Sequence, residues 1–156
     1  MARISVLVGS VYGGAEFTAE QVCQALQVQG HQAAISDAQS ADQLLAEGSD
    51  AWLVVTSTTG SGDLPDNLLP LFLSLNEQFP LMPKLRYGVI ALGDSSYGDT
   101  FCGAGRQFDE LLTELTAVRI GERLQIDACE TMEPEQVALP WVESWQRQLC
   151  EALVEA

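Results

Sequence analysis

"VLVGSVYGGAEFTAE", residues 6–20, decides how the chain is read. Residues 4–8 form a short, mostly apolar run rich in branched side chains, the pattern of a strand buried on both faces. The run stops at Gly9-Ser10, and Gly13 and Gly14 follow. Over residues 15–29, Ala15, Ala19, Val22 and Leu26 recur at helical spacing, with Gly30 at the C-terminal end. A strand that enters its helix through so much bare backbone has two readings. Glycine lets backbone N–H groups approach an anion without a Cβ in the way, and a helix N-terminus adds donors and a partial positive charge. Ser10-Val11-Tyr12-Gly13-Gly14-Ala15 is then a phosphate cradle. Alternatively, the glycines only permit a tight strand-to-helix turn, and this loop alone leaves both readings open.

The same unit recurs along the chain. Residues 32–36, 51–56 ("AWLVVT") and 86–93 ("RYGVIALG") read as strands, and residues 118–126 contain a fifth, interrupted by Gly121-Glu122. Residues 68–75 read as a helix capped by Asp66 or Asn67. Residues 103–115 form another, with Phe108, Leu111, Leu112 and Leu115 inward. The last helix spans residues 133–153, kinked or restarted at Pro140, with Trp141, Trp145, Leu149 and Leu153 on its inner face. Continuous apolar strands alternating with helices predict an α/β fold, a doubly wound five-stranded parallel sheet covered on both faces. No repeat or low-complexity linker interrupts it, so residues 1–156 read as one domain.

Composition narrows the function. The chain is 47% hydrophobic and 19% charged, as expected of a globular protein, but 22 acidic residues against 7 basic ones leave a net charge of −15. Such a surface repels nucleic acid and anionic membrane and attracts a basic protein partner. No apolar run approaches the ~20 residues of a membrane span, and no secretory leader is visible ahead of Gly9. Cys23, Cys102, Cys129 and Cys150 form no C-x-x-C pair, and His31 is the only histidine. A zinc site and a histidine-based triad are therefore disfavoured, and a cytoplasmic protein with free thiols is expected.

Connections in such folds usually take ~2–6 residues. Three here are longer or richer in glycine, after strands one, three and four: the opening loop, "STTGSGDLPDN" (57–67) and "DSSYGDTFCGAG" (94–105). All three fall at the carboxyl edge of the sheet, where ligands bind at the point of reversed strand order. The first loop contains no lysine and does not fit G-x-G-x-x-G. A phospho-receiver would need acids where Gly9-Ser10 and Thr56-Ser57 stand. Asp37, placed to suit a ribose, is an isolated match. The third loop offers a carboxylate, two serines, Tyr97 and Phe101, and an aromatic at a crevice rim can stack on a heterocycle. A flat ring bearing a phosphate is the economical ligand. Cys102 reads as a small residue whose backbone matters rather than a reactive thiol, and Trp52, Trp141 and Trp145 read as core.

In this order the loops resemble those of flavodoxins and of the FMN domains of diflavin reductases. The likeness runs from Arg3 to about Leu153 and is nearest to small single-domain bacterial members. "GSVYGGAE" is similar to the family's phosphate loop, "STTGSGDLPDN" to its ring-covering loop, and "LGDSSYGDTFCGAG" matches its third loop most specifically. The long-chain insertion in strand five is absent. The resemblance implies strand order 2-1-3-4-5 and bound FMN. Ser10, Val11, Tyr12, Gly13, Gly14 and Ala15 would hold the phosphate. Thr58, Thr59, Gly60 and Ser61 would lie along one ring face, with Tyr97 stacked on the other. Gly93, Asp94 and the backbone at Phe101 and Cys102 would lie at the pyrimidine edge.

Two departures imply weaker FMN binding than is typical. Tyr12 and Ala15 stand where the family often has hydroxyls, and Thr59 where it often has an aromatic. The activity implied is electron carriage without chemistry on a substrate. The carrier would be a monomer meeting a basic flavoprotein reductase and an acceptor enzyme in transient encounters. Asp63, Asp66, Asp94 and Asp99 would disfavour an anionic reduced flavin, a unit charge at ~10 Å being worth roughly 1–2 kcal/mol at an effective dielectric of ~20. The rivals are a small FMN-dependent quinone reductase, for which no basic cluster is evident, and a flavin-free regulatory module on the same fold, which Ala15 and Thr59 favour.

Overall fold

In the computed structural model, residues 2–10, 14–58, 63–93, 102–128, 130 and 133–155 are described. Their elements, in order, are β1 (Arg3–Gly9), α1 (Gly14–Val28), β2 (Gln32–Ile35), α2 (Ala41–Ala46), β3 (Ala51–Thr56), α3 (Leu69–Gln78), β4 (Arg86–Gly93), α4 (Gly103–Glu114), β5 (Val118–Arg119), β6 (Leu124–Asp127) and α5 (Pro134–Glu155). All six residues of β3 are buried, so its apolar run serves both faces of the sheet. Leu53 and Val55 face α1 and α5, while Trp52 and Val54 face the layer of α2, α3 and α4. Fully burying one such side chain is worth about 1.5–3 kcal/mol. This two-sided burial holds β3 at the centre of the sheet.

The strands run parallel in the order β2-β1-β3-β4-β5, with β6 also on β4. Strand order reverses between β1 and β3, which are in register from Ile4↔Ala51 to Gly9↔Thr56. Their carboxyl ends therefore diverge into connections on opposite faces, and a crevice opens between them.

The fifth strand is in two pieces, as Gly121-Glu122 suggested. Tyr87 pairs with Arg119 and Ile90 with Leu124, so residues 120–123 lie opposite only two residues of β4. Gly121 takes φ +72 within this bulge. One buried carboxylate secures both pieces: Asp109 Oδ2 accepts from Arg119 at 2.6 Å and from Arg123 at 2.7 Å, and its Oδ1 accepts from the Tyr87 hydroxyl at 2.5 Å. Burial, reinforced by the Asp109 contact, pushes the Tyr87 phenol well above its ordinary pKa.

Three local expectations change. Helix α2 was not foreseen: it has six residues and buries only Ala41 and Leu44, too few for a visible periodicity. Its one signal is Ser40, whose side chain accepts from the Gln43 N–H. Helix α5 runs unbroken through Pro140 instead of restarting there. The lost i→i−4 hydrogen bond is offset by the buried face of Ala138, Val142, Trp145 and Leu149. Neither Asp66 nor Asn67 caps α3. Its N-cap residue is Leu68, without a side-chain cap, and the Leu68 and Leu69 N–H groups donate to Pro65 O.

Candidate functional site

At the crevice, the reason for each glycine differs. A Cβ on Gly9 would collide with Thr56 Oγ1 and lie 2.9 Å from Leu68 Cδ2, so this position is bare because β1, β3 and the start of α3 close on it. Gly14 opens α1, and a Cβ there would meet nothing within 4 Å. Nothing in the described protein requires that bareness. It leaves the N-terminus of α1 approachable, with backbone donors and the positive end of the helix dipole facing the crevice. Ala15, next along, turns its methyl into the core beside Ala19 and Val22 and is 1% exposed. Its offering to a ligand is its backbone.

The roots of the three loops are tied to one another. The Ser57 N–H donates to Gly9 O at 2.8 Å, and the Ser57 hydroxyl donates to the same oxygen at 3.3 Å. The Ser10 N–H donates to Asn67 Oδ1 at 3.0 Å, joining the loop after β1 to the end of the loop after β3. The Ala104 N–H, in the first turn of α4, donates to Thr58 Oγ1 at 3.3 Å and joins the second loop to the third. On β4, Gly93 O accepts from the Ala128 N–H at 2.8 Å.

Cys102 caps α4 in the left-handed region, φ 54 and ψ 26, and is fully buried. Its thiol donates to Ala91 O at 3.5 Å. Burial, with the nearby charge of Asp127 second, pushes that thiol up to about 11. It stays protonated at neutral pH and is a poor nucleophile. The residue's role is to turn the backbone into α4, as its sequence context indicated.

Ser10, Gly14, Ala15, Thr58, Gly93 and Cys102 thus all stand at the carboxyl edge, on the roots of three loops. Val11, Tyr12, Gly13, Thr59, Gly60, Ser61, Asp94, Tyr97 and Phe101, the other expected site residues, lie outside the described residues. Asn67, whose side chain joins two of these loops, was expected only as a possible cap of α3. The sequence signal was present, an asparagine just before a helix, but it pointed to a cap.

Acidic side chains gather around this edge. Glu16 lies in the first turn of α1, Asp63 and Asp66 before α3, Asp127 at the end of β6, and Glu130 and Glu133 before α5. Arg106, in the first turn of α4, opposes them. At the other edge, Arg3 opens β1, and Lys84 and Arg86 stand at the start of β4. A groove of about 780 Å³ lies there, lined by Leu44, Leu45, Trp52, Met82, Leu85 and Leu153.

The remaining candidates are structural. His31 is buried at the amino edge. It accepts the Ala2 N–H on Nδ1 at 3.0 Å, and its Nε2 bonds to Gln146 Oε1 at 2.9 Å. Among the described residues, no group of three or more His, Cys, Asp or Glu side chains is placed to hold a metal ion, and no helix is long and apolar enough to cross a membrane. Trp52 and Trp145 are core residues, and Trp141 packs against Trp145 with ring centroids 6.2 Å apart.

A doubly wound parallel sheet in this order, with three loop roots converging on its switch point, defines an α/β ligand-binding fold. The chain belongs to the flavodoxin family: the family model described as Flavodoxin matches residues 6–141. It is 49% identical over 145 residues to flavodoxin YqcA of Escherichia coli K12, covering 93% of this chain and 97% of that protein. It is 39% identical over 145 residues to protein MioC of the same strain, with the same coverage. Among solved structures, a cysteine-to-serine mutant of flavodoxin from Pseudomonas aeruginosa is 46% identical and superimposes with a TM-score of 0.89, covering 94% of this chain and 98% of that one.

Proposed function

We propose that the chain binds FMN at the crevice between β1 and β3 and carries single electrons from a basic flavoprotein reductase to an acceptor enzyme in the cytoplasm. The observation that carries this reading is the convergence of three cross-tied loop roots on the open N-terminus of α1, in a member of the flavodoxin family. The residues suit the cofactor's charged end: no atom of the described residues comes within 4 Å of where a Cβ on Gly14 would sit, which leaves room for a phosphate at the helix N-terminus. When bound, FMN supplies one-electron redox chemistry, and the protein supplies binding, orientation and electrostatics.

The chain's own residues divide the work. Gly14 and Ala15 present backbone donors to the phosphate. Thr58, held by the Ala104 N–H, fixes the start of the loop along the ring. Cys102 and Gly93 set the backbone of the third loop, and the Cys102 thiol, protonated at neutral pH, is not a nucleophile there. The acids around the crevice disfavour added negative charge on the cofactor, which makes the carrier strongly reducing. The same acids face a partner of opposite charge, and such encounters are small and short-lived.

The test is a reconstituted chain of electron transfer. A flavoprotein reductase with NADPH, this protein loaded with FMN, and cytochrome c as a basic acceptor should give cytochrome reduction that requires all three proteins. Its rate should fall steeply as salt rises from 50 to about 300 mM. Rapid NAD(P)H oxidation by the FMN-loaded protein without a reductase would favour the quinone reductase reading instead.

A further inference from the structure

We infer that Asn67 is a positioning residue for the phosphate loop, and that it sets the loops after β1 and β3 as one unit. The inference rests on the FMN reading above. Ser10 is the last described residue before the loop, and its N–H donates to Asn67 Oδ1 at 3.0 Å across 57 residues of sequence. An asparagine just before a helix ordinarily accepts from that helix's own first turn. Here the N–H groups of the N-cap residue Leu68 and of Leu69, where the helix begins, donate to Pro65 O. The Asn67 carbonyl is therefore spent on the other loop.

The consequence is geometric. The far end of the phosphate loop is fixed where α1 begins at Gly14, with the Thr18 hydroxyl donating to Gly14 O at 3.0 Å. The near end leaves β1 at Gly9, whose carbonyl is held by Ser57. Asn67 adds the next anchor at Ser10, so the loop's entry and its exit at Gly14 are both held and less ordering is left to phosphate binding. The Ser10 N–H is committed to Asn67 within the protein. Asn67 is exposed and outside both core layers, so its replacement leaves the packing intact.

FMN and riboflavin differ by the phosphate alone, so their affinities separate a loop-positioning role from a general one. With the full-length chain, Asn67→Leu should raise the Kd for FMN about 3- to 10-fold, the scale of one hydrogen bond, and change that for riboflavin less than about 2-fold. Hydrogen exchange of the Ser10 amide, read without any flavin, should quicken in Asn67→Leu and stay slow in Asn67→Asp, which keeps the acceptor oxygen. An unchanged ratio of FMN to riboflavin affinity in a protein that binds both would overturn the role of Asn67 while leaving the FMN reading intact. Equally fast Ser10 exchange in the native protein and Asn67→Leu would do the same. Failure of the native protein to bind either flavin would overturn the FMN reading, and this role with it.

Discussion

The two edges of the sheet are built for different purposes. The amino edge holds a roomy, mostly apolar groove of about 780 Å³, with the bases Arg3, Lys84 and Arg86 beside the acids Glu47 and Asp50. At the carboxyl edge, loop roots are tied to one another by backbone and side-chain hydrogen bonds, and acids surround them. An apolar groove would direct attention to the amino edge. Topology directs it to the other, because strand order reverses between β1 and β3 and their loops separate there. The candidate site in this fold is the edge where loops are anchored to one another at the switch point, rather than the edge that holds the groove.

The largest effect should fall at neither crevice nor groove. Asp109→Ala leaves Arg119 and Arg123 without their carboxylate, and should cost about 2–4 kcal/mol in urea unfolding. That is below the ~3–5 of a fully buried pair, because both arginines keep solvent contact. FMN affinity of the folded fraction should stay within twofold. A large loss of affinity would mean that the bulged fifth strand and the crevice are one energetic unit.

Next come the two glycines. Gly9→Ala should destabilise by about 1–3 kcal/mol through collision with Thr56 and Leu68. Gly14→Ala should hold or raise stability by up to about 1 kcal/mol, since no atom of the described residues lies in the way and the unfolded chain loses freedom. It should weaken FMN about tenfold or more while sparing riboflavin, by displacing the phosphate from backbone donors. Equal effects of the two substitutions on folding would erase the distinction between packing glycine and ligand glycine.

A smaller effect concerns pH. The Cys102 thiol is raised from 9.0 to about 11 in the folded state. Its contribution to stability is fully present below pH 9 and is lost as pH rises through 11. Native protein should therefore lose stability more steeply than Cys102→Ala between pH 9 and 11 in parallel urea titrations. Coincident slopes would mean that the buried thiol does not shift as its surroundings require. Smallest of all, Leu81→Ser, at a residue 64% exposed on the rim of the amino-edge groove, should change stability by less than about 0.5 kcal/mol and FMN affinity not at all. A clear loss of affinity would break the division between the edges.

The parallel sheet and both helix layers were legible because β1, β3 and β4 are continuous apolar runs and α1, α4 and α5 are long enough to show a period, whereas the strand order came from the family resemblance. Helix α2 is too short to do so, and its Ser40 cap alone does not distinguish it from a turn. Pro140 does not restart the helix, because burial of the surrounding helix face outweighs one missing hydrogen bond. The break in the fifth strand was visible at Gly121, yet its repair by Asp109 was not, since a carboxylate's partners are set by tertiary placement. The positions of Ser10, Thr58 and Cys102 followed from the loops they occupy. Asn67 could not be read the same way: a cap residue and a cross-loop anchor are identical in sequence, and only the contact with Ser10 separates them.

The most direct test of the central claim is a titration of the purified protein with FMN, followed by flavin fluorescence and by absorbance in the blue. Saturable quenching at one site per chain, tighter for FMN than for riboflavin, is the expected result. No saturable binding of either flavin would contradict the account and leave the flavin-free regulatory module as the better reading of this fold.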